Sequence, residues 1–211
     1  MLETALAHAQ TQQDHYLQQF MDLLCIPSVS TLPEHAPDIE RVAQWLADHL
    51  TGIGLENVQI LRTPGNPVVY GDWLGAGPDA PTLVIYGHYD VQPADPLDEW
   101  ETGPFTPTVR DGAVFARGAS DNKGQFFAHL KAVDTILSAT GRLPINIIFV
   151  LDGEEEVGSP NIEWLVREYG PLFAADTGLI SDGAMLAHGR PSLDYGVRGL
   201  TAMEIHVRGP R

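Results

Sequence analysis

Four short polar clusters in this chain are of the types that hold divalent cations and move protons. The first closes Thr82-Leu-Val-Ile-Tyr-Gly-His-Tyr-Asp90, an apolar run that ends in His88 and Asp90. These two side chains fall on one side of the chain if the backbone stays extended. A metal-binding imidazole needs a partner on its other ring nitrogen, and a carboxylate at that spacing can supply it. The second cluster is Asp121, within Arg117-Gly-Ala-Ser-Asp-Asn-Lys-Gly124. The third is Glu154-Glu155-Glu156, and the fourth is Asp182, within Ser181-Asp-Gly183. Singly, each has an ordinary reading: a chance polar pair, a helix cap at Asp121, a solvated carboxylate. Four in succession make chance a poor account.

One imidazole with several carboxylates and no thiolate suits zinc, cobalt or manganese. So many carboxylates around a single ion would repel one another. Two cations bridged by a shared carboxylate, roughly 3.5–4 Å apart, resolve that conflict. A water between two such ions loses its proton near neutral pH and becomes a nucleophile. One more carboxylate, not bound to metal, is then needed to carry that proton to a leaving group.

The elements that must position these groups follow from periodicity and punctuation. Residues 2–24 read as a helix with Leu6, Leu17, Phe20 and Leu24 on one face, ended by Pro27. Pro37 and Asp38 open a second helix, with Ile39, Val42, Trp45, Leu46 and Leu50 at helical spacing, and Gly52 and Gly54 stop it. Asn57–Arg62 and Val68–Leu74 read as strands around the turn Pro64-Gly65-Asn66-Pro67. Thr82–Gly87 has the composition of a strand buried on both faces. A long loop runs from Val91 to about Thr108, a length that is uncommon without a function. Val114–Arg117 reads as a short strand before Asp121, and a helix follows over 122–139 with Phe126, Leu130, Val133 and Leu137 as its core stripe. Leu143–Leu151 is a buried strand leading into the three glutamates, and a helix over 160–169 follows. Leu179 and Ile180 form another strand, and Ser192–Val197 and Thr201–Val207 are strand-like.

Alternating strands and helices predict an α/β fold, a mostly parallel sheet flanked by helices. In such sheets the carboxyl ends of the strands face one crevice, where ligands bind. His88 and Asp90, Asp121, Glu154 to Glu156, and Asp182 each follow a predicted strand and are expected to meet there.

The totals agree. With 211 residues, 44% of them hydrophobic, the chain can bury the core of one large domain, or of one domain and part of another. Twelve basic residues against 28 acidic ones give a formal charge of −16. Such a surface repels phosphate backbones and anionic lipid, so neither nucleic acid nor membrane is an expected partner. Cys25 is the single cysteine. It excludes an internal disulfide and a thiolate zinc site, and within Leu23-Leu24-Cys25-Ile26 it reads as a buried inert thiol. The start, Met1-Leu-Glu-Thr-Ala, has no basic region ahead of an apolar core, and a cytoplasmic protein is expected.

Gly87-His-Tyr-Asp-Val-Gln-Pro93, Arg117-Gly-Ala-Ser-Asp-Asn-Lys-Gly124, Glu154-Glu-Glu-Val-Gly-Ser159 and Ser181-Asp-Gly183 resemble the dinuclear zinc exopeptidases. That group holds carnosinase-type dipeptidases, aminoacylases, glutamate carboxypeptidase, and acetylornithine and succinyl-diaminopimelate deacylases. The long loop with Trp100 and Gly103-Pro-Phe105 resembles the dipeptidase branch most. The likeness runs from about Thr82 to Arg211. It implies two divalent ions, zinc before manganese or cobalt, and a water bridging them that attacks the peptide bond of a dipeptide or short peptide. It implies that His88 binds one ion with Asp90 orienting it, that Asp121 bridges both ions, that Glu155 is the general base, and that Glu156 is a ligand. Asp182 would join His88 and Asp121 on one ion. Glu156 and Asp121 would hold the other, with a histidine from later in the chain. The resemblance also implies a cis peptide between Asp121 and Asn122, and a homodimer. Glu154 falls outside the pattern and is expected to be exposed.

The group's last metal-binding histidine follows an inserted lid domain, and neither His188 nor His206 matches its motif. His206 reads as a structural residue in mid-strand. Residues 1–197 are therefore expected to be the first portion of a catalytic domain, and 198–211 the first strand of an α+β lid and dimerisation domain. Two other functions compete: an amidase that removes the acyl group of an N-acyl amino acid, and a non-catalytic metal-binding module. An intact Glu155 speaks against the second.

Overall fold

A computed structural model of the chain describes residues 1–187, 189–193, 196 and 199–209. Two helices open it, α1 (Leu2–Leu24) and α2 (Ala36–Gly52), followed by β1 (Glu56–Leu61), β2 (Val68–Trp73) and β3 (Thr82–His88). A hairpin of β4 (Thr108–Arg110) and β5 (Ala113–Phe115) precedes α3 (Lys123–Thr140). Then come β6 (Asn146–Asp152), α4 (Ile162–Tyr169) and β7 (Thr177–Ile180).

Five strands form one sheet in the order β1-β2-β6-β3-β7. β3 pairs in parallel with both β6 and β7, whereas β2 runs antiparallel to β1 and to β6. Four of the five strands therefore point the same way, and β2 alone is reversed. The tight turn over Pro64–Pro67 causes this, because two strands joined so closely can only pair as a hairpin.

Period-two alternation divides the core. Ile147, Phe149 and Leu151 of β6 enter the larger cluster, with Leu46 and Leu50 of α2 and Phe126 and Leu130 of α3. Ile148 and Val150 face the opposite way, toward Leu165 of α4. Helices thus cover both faces, as a sheet with buried strands requires. At the end of β3 a Cβ on Gly87 would stand 2.7 Å from Phe126 Cβ, so only glycine lets α3 start this close to the strand.

Four readings change. Val114–Arg117 does not join the main sheet; its strand portion pairs with Thr108–Arg110 in a separate hairpin. Leu6 lies exposed on α1, while Ala5 is buried beside it. Thr201–Val207 forms no strand, since no strand among the described residues offers it hydrogen bonds, and its Met203, Ile205 and Val207 are exposed. Of Ser192–Val197, residues Asp194, Tyr195 and Val197 lie outside the described residues, and the others are not in a strand. No helix among the described residues is long and apolar enough to cross a membrane.

Candidate metal centre

Parallel pairing sets the site. His88 closes β3 and stands in register with Asp152, the last residue of β6. Both strands therefore end at the same level, and the chain turns off each into a polar loop. After β6 that loop carries Glu155 and Glu156 in a single 3-10 turn, Glu155–Val157. Asp182 lies just beyond β7. Asp121 is delivered differently, by the residues leading into α3, and its peptide bond to Asn122 is cis.

His88 is fully buried, and its Nε2 is the point on which the carboxylates converge. Asp121 Oδ1 lies 3.0 Å from it, Asp182 Oδ2 3.7 Å and Glu155 Oε2 3.8 Å. His88, Asp121 and Asp182 bring donor atoms within 4.8 Å of one another, as do His88, Glu155 and Glu156. Tetrahedral zinc with bonds of ~2.0–2.2 Å holds its donors ~3.4 Å apart. The spacing and the oxygen-rich donor set therefore fit divalent cations.

Asp90 serves both sides of this centre. His88 Nδ1 is 3.0 Å from its backbone oxygen and 3.3 Å from Oδ1. The carboxylate also accepts the backbone N–H groups of Glu155 at 3.2 Å and Glu156 at 3.1 Å. The spacing of His88 and Asp90 makes the first contact legible. The second depends on β6 ending beside β3.

The electrostatics match a site short of positive charge. Burial lowers the pKa of His88, but the hydrogen bond and charge of Asp90, with Asp182 and Glu155, raise it to about 9. Burial raises the pKa of Glu155, helped by Asp182, Glu156 and Asp90 and opposed by His88. Burial likewise raises Glu156, against the hydrogen bond that Gln92 donates to it.

Several supporting groups carry no clear signal in the sequence. Lys123 is fully buried and donates to the carbonyls of Ile26 at 2.8 Å and Leu23 at 3.3 Å, which ties α1 to the base of the site. Burial pulls its pKa down to about 7, against the pull of Asp90. Ser28 Oγ donates to Tyr89 O at 2.6 Å, and Val91 N–H donates to Ser28 O at 2.9 Å. The long loop is ordered around Trp100, whose Nε1 donates to Ala94 O at 2.7 Å, with the Arg117 guanidinium 5.6 Å from its ring.

Three residues depart from expectation. Glu154 is 7% exposed: its carboxylate accepts Asn66 N–H at 2.7 Å and the Asn161 amide at 2.8 Å. It straps the β1–β2 turn to the glutamate loop, a contact between residues far apart in the chain. Cys25 is exposed, because it caps the end of α1 while Leu23, Leu24 and Ile26 take the inward positions. His206 is exposed beside Glu204 at 2.9 Å rather than in a strand. His188 lies outside the described residues.

A helix-flanked sheet whose parallel strand ends aim carboxylates at one buried imidazole defines an α/β protein with a carboxylate-rich candidate cation centre. The family model of "Peptidase family M20/M25/M40" matches residues 84–207, and the chain belongs to that family. It is 35% identical to the Beta-Ala-His dipeptidase of Mus musculus over 99% of this chain and 45% of that protein. It is 34% identical to the Cys-Gly metallodipeptidase dug1 of Schizosaccharomyces pombe over 94% of this chain and 44% of that one. Among solved structures, human carnosine dipeptidase 1 superposes with a TM-score of 0.79 at 34% identity, covering 86% of this chain and 41% of that chain. The di-peptidase Dug1p of Saccharomyces cerevisiae superposes at 0.80 with 25% identity, over 88% and 42%. All four are dipeptidases, the branch its loop resembles, and the chain spans less than half of each.

Proposed function

We propose that this chain carries the metal-binding part of a dipeptidase that hydrolyses the peptide bond of dipeptides or short peptides with two divalent cations, zinc by preference. The observation that carries the reading is the convergence of Asp121, Asp182 and Glu155 on His88 Nε2, with Glu156 alongside. His88, Asp121 and Asp182 would hold one cation, and Asp121 and Glu156 the other. Bound there, the cations would acidify the attacking water and polarise the scissile carbonyl. Glu155, whose Oε2 faces His88 Nε2 at 3.8 Å and which is outside the proposed ligand set, would take the proton of that water and return it to the leaving amine. Asp90 holds the His88 ring and the glutamate turn in fixed relation. Residues 1–197 belong to the metal-bearing domain in this reading, and 198–211 lead into a lid and dimerisation domain. A cytoplasmic location and a homodimer go with it.

The test sets a dipeptide panel against N-acetyl amino acids, with the protein extended through the proposed lid domain and loaded with zinc or manganese. Dipeptide turnover that a chelator abolishes and zinc restores is the expected result. Turnover of N-acyl amino acids alone would replace this reading with deacylation. Tight metal binding with no turnover of either class would make the chain a binding module.

A further inference from the structure

Asp182 stands where the sheet gives least support. β7 has four residues, pairs with β3 alone among the described strands, and ends at Ile180, which is 66% exposed. A turn after so short an edge strand has no ladder to fix it. Its fixing comes from α3 and the residue ahead of it. Asn122 Nδ2 donates to Ser181 O at 2.9 Å and to Asp182 Oδ1 at 3.1 Å. Gln125 Nε2 donates to Gly183 O at 3.0 Å, and His129 Nε2 shares a hydrogen bond of 2.7 Å with Ser181 Oγ. Positions 122, 125 and 129 recur at helical spacing and so line one face. Asn122 is buried, and its Oδ1 also accepts the backbone N–H of His88 at 3.1 Å. One side chain therefore links His88 to Asp182, while its own backbone continues from Asp121.

We infer that this face of α3 is a positioning device for Asp182, with His129 and Ser181 as its outer clasp, and that it sets the affinity of the His88, Asp121 and Asp182 site. The inference rests on the metal-site reading above. His129 touches no proposed ligand; it acts through Ser181, which fixes the turn that aims the carboxylate. Removing a partner that orients a metal ligand typically costs ~10–100-fold in affinity, and a contact one step further out belongs at the lower end.

The test measures zinc affinity by chelator competition, together with the unfolding midpoint, in His129→Ala, Ser181→Ala, the double variant, His129→Gln and Asp182→Asn. Each alanine variant should weaken zinc binding about 10-fold. The double variant should be no weaker than the worse single, because both remove one bond. His129→Gln, whose amide nitrogen reaches about as far as Nε2, should recover most of the loss. Thr135→Val, which removes the Tyr16 contact of α3, should lower the unfolding midpoint and leave zinc affinity alone. The inference fails if the alanine variants lower the midpoint but bind zinc as the parent does, or if their effects on affinity simply add. Asp182→Asn binding zinc as tightly as the parent would instead overturn the metal-site reading itself.

Discussion

Glu155 and Glu156 are chain neighbours with different surroundings. Glu155 Oε2 faces His88 Nε2 across 3.8 Å, whereas a Glu156 oxygen accepts the Gln92 amide at 2.8 Å. A base must be free to take a proton, and a ligand must be held still. Glu155→Gln is therefore expected to keep its zinc while losing ~10²–10⁴ in kcat. Glu156→Gln should lower zinc content itself. Metal analysis beside steady-state kinetics checks both, and zinc lost from the first but kept by the second would reverse the two roles. Glu154, the third of the run, is predicted to matter for stability. Glu154→Ala leaves the Asn66 N–H and the Asn161 amide without their acceptor. Both donors are half-buried, so the loss belongs at the lower end of the about 1–3 kcal/mol that an unpaired buried donor costs, readable by chemical denaturation. No loss of stability would show that water replaces the carboxylate fully.

At the scale of elements, the packing of α1, α2 and α3 contains an acid-sensitive group. His49 of α2 stacks on Trp45 at 4.7 Å and lies 5.6 Å from Phe127 of α3. Burial lowers its pKa to about 4, reinforced by the charges of Lys131 and His15 and opposed by Asp134. Between that value and the ordinary ~6.5 the unfolded chain binds more protons at this residue than the folded one. Its contribution is therefore complete above the unfolded pKa and is lost as pH falls through about 4. His49→Phe keeps the stack and removes the titrating ring. Denaturation midpoints between pH 7 and 4 should fall less steeply in the variant, and parallel curves would refute this assignment.

Over the whole molecule, the proposed cation site is asymmetric. Among the proposed ligands, one cation would have His88, Asp121 and Asp182, whereas the other would have Glu156 and the shared Asp121 without an imidazole. A site short of a ligand binds its ion more weakly. The polypeptide 1–211 is therefore expected to bind one zinc tightly and a second weakly, and to turn dipeptides over poorly. Calorimetric titration checks the stoichiometry, and two tight equivalents of equal affinity would remove the asymmetry.

Much of this was legible in the sequence because the signals are local. The apolar run Thr82–Gly87, the helical stripe Phe126, Leu130 and Val133, and the polar residues after each strand are fixed by the period of the backbone and by neighbours a few positions away. The likeness of the four motifs carried the candidate ligands, and that of the long loop with Trp100 carried the dipeptidase branch. What the sequence could not supply is long-range. The pairing of β2 with β6, the strap from Glu154 to the 63–67 turn, the Asp90 carboxylate accepting the glutamate N–H groups, and Lys123 reaching the end of α1 all join residues distant in the chain. Such contacts exist only once the sheet order has brought those residues together. Cys25 and Thr201–Val207 mark the same boundary. Their composition allowed a buried thiol and a strand, but burial and pairing belong to the surroundings, and the tertiary structure supplied neither.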